Sequence, residues 1–206
     1  MKDFGLYVII TSPVVMHEKI AESCVRHGVE MIQLREKNLC DRDLLALAKR
    51  LKSITAGSQT KLIINDRPDI ALLCGADGTH AGQDDLKAAE VRSLTSETGS
   101  HLIGISTHNF EQAKEALSEN PDYIGFGPVF PTFAKRKPDP VTGTDLLKQV
   151  LEFSEVPVTA IGGINRHNID SVIEAGAKNI AMISAVCKSE KYDEEIRFFA
   201  DKLRKT

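Results

Sequence analysis

The sequence predicts a single-domain (β/α)8 barrel of the TIM type over residues 1–206, and three observations carry that reading. Short Val/Ile-rich runs alternate with helical patterns eight times. The runs are apolar on both faces, which marks a parallel sheet covered on each side. The first run ends Ile9-Ile10-Thr11-Ser12-Pro13, without glycine. It therefore lacks the GxGxxG or GxxxxGK(S/T) loop that should follow the first strand of an open doubly wound sheet. Eight units in 206 residues give about 26 each, near the minimum for a strand–helix unit.

The elements follow in order. A strand over 6–10 precedes a helix over 17–27 that keeps Ile20, Cys24 and Val25 on one face and closes at His27-Gly28. The strand at 31–34 leads to a helix over 41–55, with Leu44, Leu45, Leu47, Ala48 and Leu51 toward a core. Strands at 62–64 and 78–80 are each followed by a short helix. Strands at 102–105, 123–126, 156–161 and 180–183 alternate with helices at 110–117, 144–153, 168–175 and 193–203. No linker, low-complexity stretch or second domain interrupts this pattern.

Composition excludes several classes. With 42% hydrophobic and 27% charged residues the chain is neither disordered nor collagen-like. Twenty-six Lys and Arg against 29 Asp and Glu leave no basic excess for nucleic acid, and 5% aromatics without Trp argue against stacking platforms. No apolar run is long enough to span or anchor in a membrane, and the first residues lack the apolar core and cleavage site of a signal peptide. Cys24, Cys40, Cys74 and Cys187 form no CxxC, so they read as reduced thiols of a cytoplasmic protein. Assembly into a homo-oligomer is left open.

In such a barrel the active site gathers at the C-terminal ends of the strands. Three chemical needs are met there. Arg35, Lys37 and Lys135 are cations for phosphate oxygens, a bidentate fork and point charges from two strand ends; a lone one would read as solvated surface charge. Asp66 and Asp85 follow neighbouring strands and suit Mg2+, which takes one or two carboxylates plus water and substrate phosphates. Spacing equally allows helix caps at Asp66 and at Asp84-Asp85. Gly162, Gly163 and Ser184 stand after strands seven and eight, where many barrels bind phosphate, although a Gly-Gly turn alone is weak. His80 is placed to face the barrel mouth and His108 to orient a substrate or cap a helix. His17, His27, His101 and His167 read as surface positions. Neither HExxH nor GxSxG is present. The residues alone thus point to diphosphate or phosphoryl leaving-group chemistry on small phosphorylated metabolites.

Seven strings, in order and at strand ends, resemble the thiamine-phosphate synthase family. They are Gln33-Leu-Arg-Glu-Lys37, Ile64-Asn-Asp-Arg67, the 77–85 stretch DGTHAGQDD, GISTH at 104–108, GPVFPT at 127–132, AIGGI at 160–164 and MISA at 182–185. The resemblance implies condensation of an aminopyrimidine methyl diphosphate with a thiazole ethyl phosphate, releasing diphosphate. It implies that Gln33, Arg35, Glu36, Lys37, Asn65, Ser106 and Lys135 hold the pyrimidine diphosphate, with Tyr7 and His80 near the pyrimidine. Thr132, Phe133, Ala134, Gly163, Ile183 and Ser184 would hold the thiazole phosphate, Asp66 and Asp85 would ligate Mg2+, and Arg35, Lys37, Ser106 and Lys135 would be catalytic. From its own Pro- and charge-rich composition, the stretch 133–142 reads either as a mobile lid carrying Lys135 or as a surface loop with no closing role. The family usually reads Thr-x-Thr-Lys where this chain has Thr132-Phe133-Ala134-Lys135, so one hydroxyl is missing, worth ~1.5–3 kcal/mol if unreplaced. Ala81 likewise replaces a larger aliphatic residue. The related thiazole tautomerase would carry its characteristic histidine at Pro128, and a non-catalytic phosphate-binding protein is the third reading; Pro128 with the Asp66/Asp85 pair favours the synthase.

Overall fold

A computed structural model describes residues 2–132 and 139–205, apart from the side chain of Thr98. Its eight strands are β1 (Leu6–Ile10), β2 (Met31–Leu34), β3 (Lys61–Asn65), β4 (Gly78–Ala81), β5 (Leu102–Thr107), β6 (Tyr123–Phe126), β7 (Val158–Ala160) and β8 (Asn179–Met182). All pairs are parallel, and β8 pairs with β1 to close the barrel in sequence order. The helices are α1 (His17–Arg26), α2 (Asp41–Thr55), α3 (Pro68–Cys74), α4 (Ala88–Leu94), α5 (Phe110–Ser118), α6 (Gly143–Phe153), α7 (Ile169–Glu174), α8 (Ser184–Cys187) and α9 (Tyr192–Leu203). The predicted (β/α)8 barrel is therefore the observed one. Among the described residues, no helix is long and apolar enough to cross a membrane.

Alternation along each strand sorts the core into two layers. On β1, Leu6, Val8 and Ile10 face outward against the helices, while Tyr7 and Ile9 face the lumen. Both sets are buried, which is why the run reads as uniformly apolar. The lumen cluster is small: Phe4, Tyr7, Ile9, Met31, Ile63, Tyr123 and Ala181, with Leu102, Ile161 and Ile183 beside it. Gly104, in register with both His80 and Tyr123, makes room for their rings; a Cβ there would lie 2.2 Å from Tyr123 Cζ.

The closing seam is tied by a side chain. Asn179 Oδ1 accepts from the Phe4 N–H (2.7 Å) and the Gly5 N–H (3.2 Å), and its Nδ2 donates to Asp3 (3.0 Å). Three local expectations change. The seventh strand is shorter than 156–161, because Pro157 precedes it and Gly162 follows shortly after. A four-residue helix, α8, lies between β8 and α9 where none was expected. His101 is buried, not superficial, with Nε2 2.9 Å from Thr79 Oγ1.

Candidate active site

The C-terminal ends of β2, β3 and β4 bring charged groups together. Arg35 continues the β2 ladder, its N–H donating to Ile10 O (3.0 Å). Two residues on, Lys37 Nζ lies 2.9 Å from Asp66 Oδ2. Asp66 sits just past β3 in left-handed backbone (φ 58°), a conformation Asp tolerates better than most residues, held by its N–H donating to His80 O at 2.8 Å. Its carboxyl meets that of Asp85 within hydrogen-bonding reach. Asp85 is fixed in turn by the Gly82 N–H (2.8 Å).

The two carboxyls titrate apart. Burial pushes Asp66 up, but Lys37, the hydrogen bond with Asp85 and the charge of Arg35 outweigh it, so Asp66 lies below the ordinary carboxylate range. Asp85 is raised, by burial first and by the facing Asp66 second. The helix-cap reading of either residue is not realised: Arg67 precedes α3 and Lys87 precedes α4, neither helix taking a cap from these aspartates. The Lys87 N–H is instead met by Glu90 (2.9 Å). Two facing carboxylates beside cations fit a hard divalent ion. Among the described residues no third His, Cys, Asp or Glu joins them, which leaves the remaining positions of such an ion to water and phosphate oxygens.

The ends of β6, β7 and β8 form a cavity of about 410 Å3. Ser106, Gly127, Thr132, Gly163, Ile183 and Ser184 are among its walls. Gly162 (φ 102°) and Gly163 (φ 66°) are required there: a Cβ on Gly162 would lie 2.4 Å from Pro128 Cβ, and one on Gly163 2.5 Å from Pro131 O. Asn165 and Asn168 each donate to Gly163 O (3.1 and 3.0 Å), fixing the turn. Ser184 begins α8, the short extra helix that many barrels place at a phosphate site. His108 lies at the same wall, its Nδ1 2.6 Å from Gly127 O and Nε2 3.5 Å from Asp139. The cap of α5 is supplied by Asn109, which accepts from Gln112 N–H (2.8 Å).

Between the charged rim and the cavity, polar side chains cross the lumen. Gln33 touches Tyr7, Tyr7 touches Tyr123, Tyr123 touches His80 and His80 touches Ser106. Asn65 is in register with His80 at the end of β3. Most predicted residues therefore share one end of the barrel. Glu36 is held at the rim: its carboxylate meets His17 Nε2 (2.7 Å) and the Ser12 N–H, and only 8% of the side chain is exposed. These contacts tie the loop after β2 to the loop after β1 and the start of α1. Phe133, Ala134 and Lys135, and with them residues 133–138 of the expected lid, lie outside the described residues. The Tyr123 hydroxyl went unread in the sequence. The available signal was alternation, since 123 and 125 share an inward face with the mouth of β6.

Comparison with known proteins agrees with this geometry. A family model described as thiamine monophosphate synthase matches residues 6–186. A thiamine-phosphate synthase from Shouchella clausii is 43% identical over 190 residues, covering 90% of each chain. One from Methanospirillum hungatei is 40% identical over 202 residues and 97% of each chain. The solved thiamine phosphate pyrophosphorylase from Pyrococcus furiosus superposes with a TM-score of 0.86 at 32% identity, over 98% of this chain and 97% of that one. With its barrel, its paired rim carboxylates and its glycine-walled cavity, this chain belongs to the thiamine monophosphate synthase family.

Proposed function

We propose that the protein is a transferase that joins 4-amino-2-methyl-5-hydroxymethylpyrimidine diphosphate to thiazole (carboxy)ethyl phosphate, yielding thiamine phosphate and diphosphate, with CO2 released as well when the thiazole carries the carboxyl group. One observation carries the assignment to this site: Ser106 is at once a wall of the glycine-walled cavity and a partner of His80, which stands beside the charged rim. Two anionic substrates would thus meet at one residue.

In this reading Gln33, Tyr7 and His80 seat the pyrimidine, and Arg35, Lys37, Asn65, Ser106 and Lys135 hold its diphosphate. Thr132, Phe133, Ala134, Gly163, Ile183 and Ser184 hold the thiazole phosphate. Asp66 and Asp85 would hold Mg2+, which supplies positive charge to phosphate oxygens. Reaction is dissociative: the C–O bond to diphosphate breaks, leaving a pyrimidine methylene cation, and the thiazole nitrogen lone pair forms the new C–N bond. Arg35, Lys37 and Lys135 stabilise the negative charge that grows on the leaving group. The apolar lumen around Tyr123 and Ile161 limits water that would otherwise trap the cation. The unpaired cysteines support a cytoplasmic setting.

The test mixes purified protein with both substrates, with Mg2+ or with chelator, and measures diphosphate and thiamine phosphate. Equal, metal-dependent release of both is expected. Isomerisation of the thiazole carboxylate alone, or binding of either phosphate without turnover, would overturn the assignment.

A further inference from the structure

The lumen chain from Gln33 to Ser106 has a direction. Gln33 Nε2 lies 2.7 Å from Tyr7 Oη, Tyr7 Oη 2.9 Å from Tyr123 Oη, Tyr123 Oη 3.1 Å from His80 Nδ1, and His80 Nε2 2.8 Å from Ser106 Oγ. Each phenol has one hydrogen to give. Both phenols are buried, which raises their pKa and keeps those hydrogens in place. With the Gln33 NH2 donating to Tyr7, the Tyr7 hydrogen goes to Tyr123 and the Tyr123 hydrogen to His80 Nδ1. If Tyr123 donated to Tyr7 instead, the Tyr7 oxygen would accept twice and its hydrogen would have no acceptor among these five linked side chains, a costly state in a buried lumen.

His80 then accepts at Nδ1, carries its hydrogen on Nε2 and donates it to Ser106 Oγ. The hydroxyl hydrogen of Ser106 is left for the cavity. We propose that Tyr123 is a positioning residue, which by donating to His80 Nδ1 leaves Nε2 as the ring's donor and so presents Ser106 as a hydrogen-bond donor to the departing diphosphate. The last clause rests on the proposed reaction; the tautomer does not. Gly104 is a second observation in its favour. A Cβ there would sit 2.4 Å from His80 Nδ1 and 2.5 Å from Tyr123 Oη, so glycine permits the contact on which the tautomer depends.

The test is 15N-imidazole NMR of the full chain without substrates. The wild-type His80 signals should report Nε2–H and an unprotonated Nδ1. Tyr7→Phe and Ser106→Ala should retain that tautomer, since Tyr123 can still donate. Tyr123→Phe should lose it, and kcat should fall about tenfold or more as Ser106 ceases to be a fixed donor. An Nδ1–H tautomer or an imidazolium in the wild type, or an unchanged tautomer in Tyr123→Phe, would overturn the proposal. The wild-type and Ser106→Ala spectra decide even if Tyr123→Phe does not fold. An expected tautomer in a protein without synthase activity supports the assignment of His80 and overturns the reaction.

Discussion

Replacing Gly163 by alanine separates backbone strain from close packing. Gly163 and Gly57 both hold positive φ (66° and 74°). A side chain in that region costs about 1–2 kcal/mol, and alanine recovers ~0.4–1 kcal/mol by restricting the unfolded chain. Gly57, in an exposed turn with nothing within 4 Å of the new Cβ, should therefore lose about 1 kcal/mol on becoming alanine. At Gly163 the new Cβ would lie 2.5 Å from Pro131 O and 2.7 Å from Phe130 Cβ. Overpacking adds roughly 1–3 kcal/mol unless the turn moves. For a chain of this size each kcal/mol is about 2–4 °C of Tm, so Gly57→Ala should lower Tm by about 2–4 °C and Gly163→Ala by roughly 4–16 °C. If the turn moves instead, the loss should appear as an increase of up to ~100-fold in KM for the thiazole phosphate. Thermal unfolding by circular dichroism and initial rates against thiazole phosphate read the two outcomes. Equal Tm shifts for both variants with an unchanged KM would refute the close-approach argument.

Asp66→Asn keeps a residue that tolerates left-handed backbone, so kcat should fall ~100-fold or more while Tm moves by only a few degrees; parental activity at ordinary Mg2+ would remove Asp66 from the site. Asn179→Ala strands the Phe4 and Gly5 N–H groups at the opposite end of the barrel. It should cost about 2–4 kcal/mol in urea unfolding with kcat preserved below the transition, and a fall in kcat instead would contradict the placement. Burial lowers the pKa of His101, so the fold favours its neutral form. As pH drops below about 6.5 the unfolded chain takes up a proton that the fold resists, and stability declines from there through the folded value. His101→Gln should flatten that decline in Tm between neutral and mildly acid pH; an identical slope would rule out His101 as its source.

The barrel was legible because both layers of the core are apolar. Val8 packs outward and Ile9 inward, so each strand announces itself as an unbroken run. The rim was legible because its side chains follow directly on those runs. Adjacency along the chain puts Glu36 beside Arg35 and Lys37, but its contact with His17 comes from a distant helix and carries no signal in sequence. His101 looked superficial because a single histidine ahead of a strand carries no periodic signal, and its partner Thr79 comes from the adjacent strand. Tyr123 escaped notice because aromatic residues in a strand read as packing, and only three-dimensional proximity to Tyr7 and His80 reveals its hydroxyl as a link. The helix α8 is too short to leave a pattern in sequence.

The seam between β1 and β8 has a bearing on how the protein is born. Leu6 and Tyr7 wait for Ile180 and Ala181, among the last strand residues to leave the ribosome. Until then the nascent sheet keeps two raw edges, and the amide groups of Phe4 and Gly5 lack the carboxamide that will receive them. Synthesis stalled before Asn179 would thus leave an open, adhesive sheet, while completion of a few more residues converts it into a ring without edges.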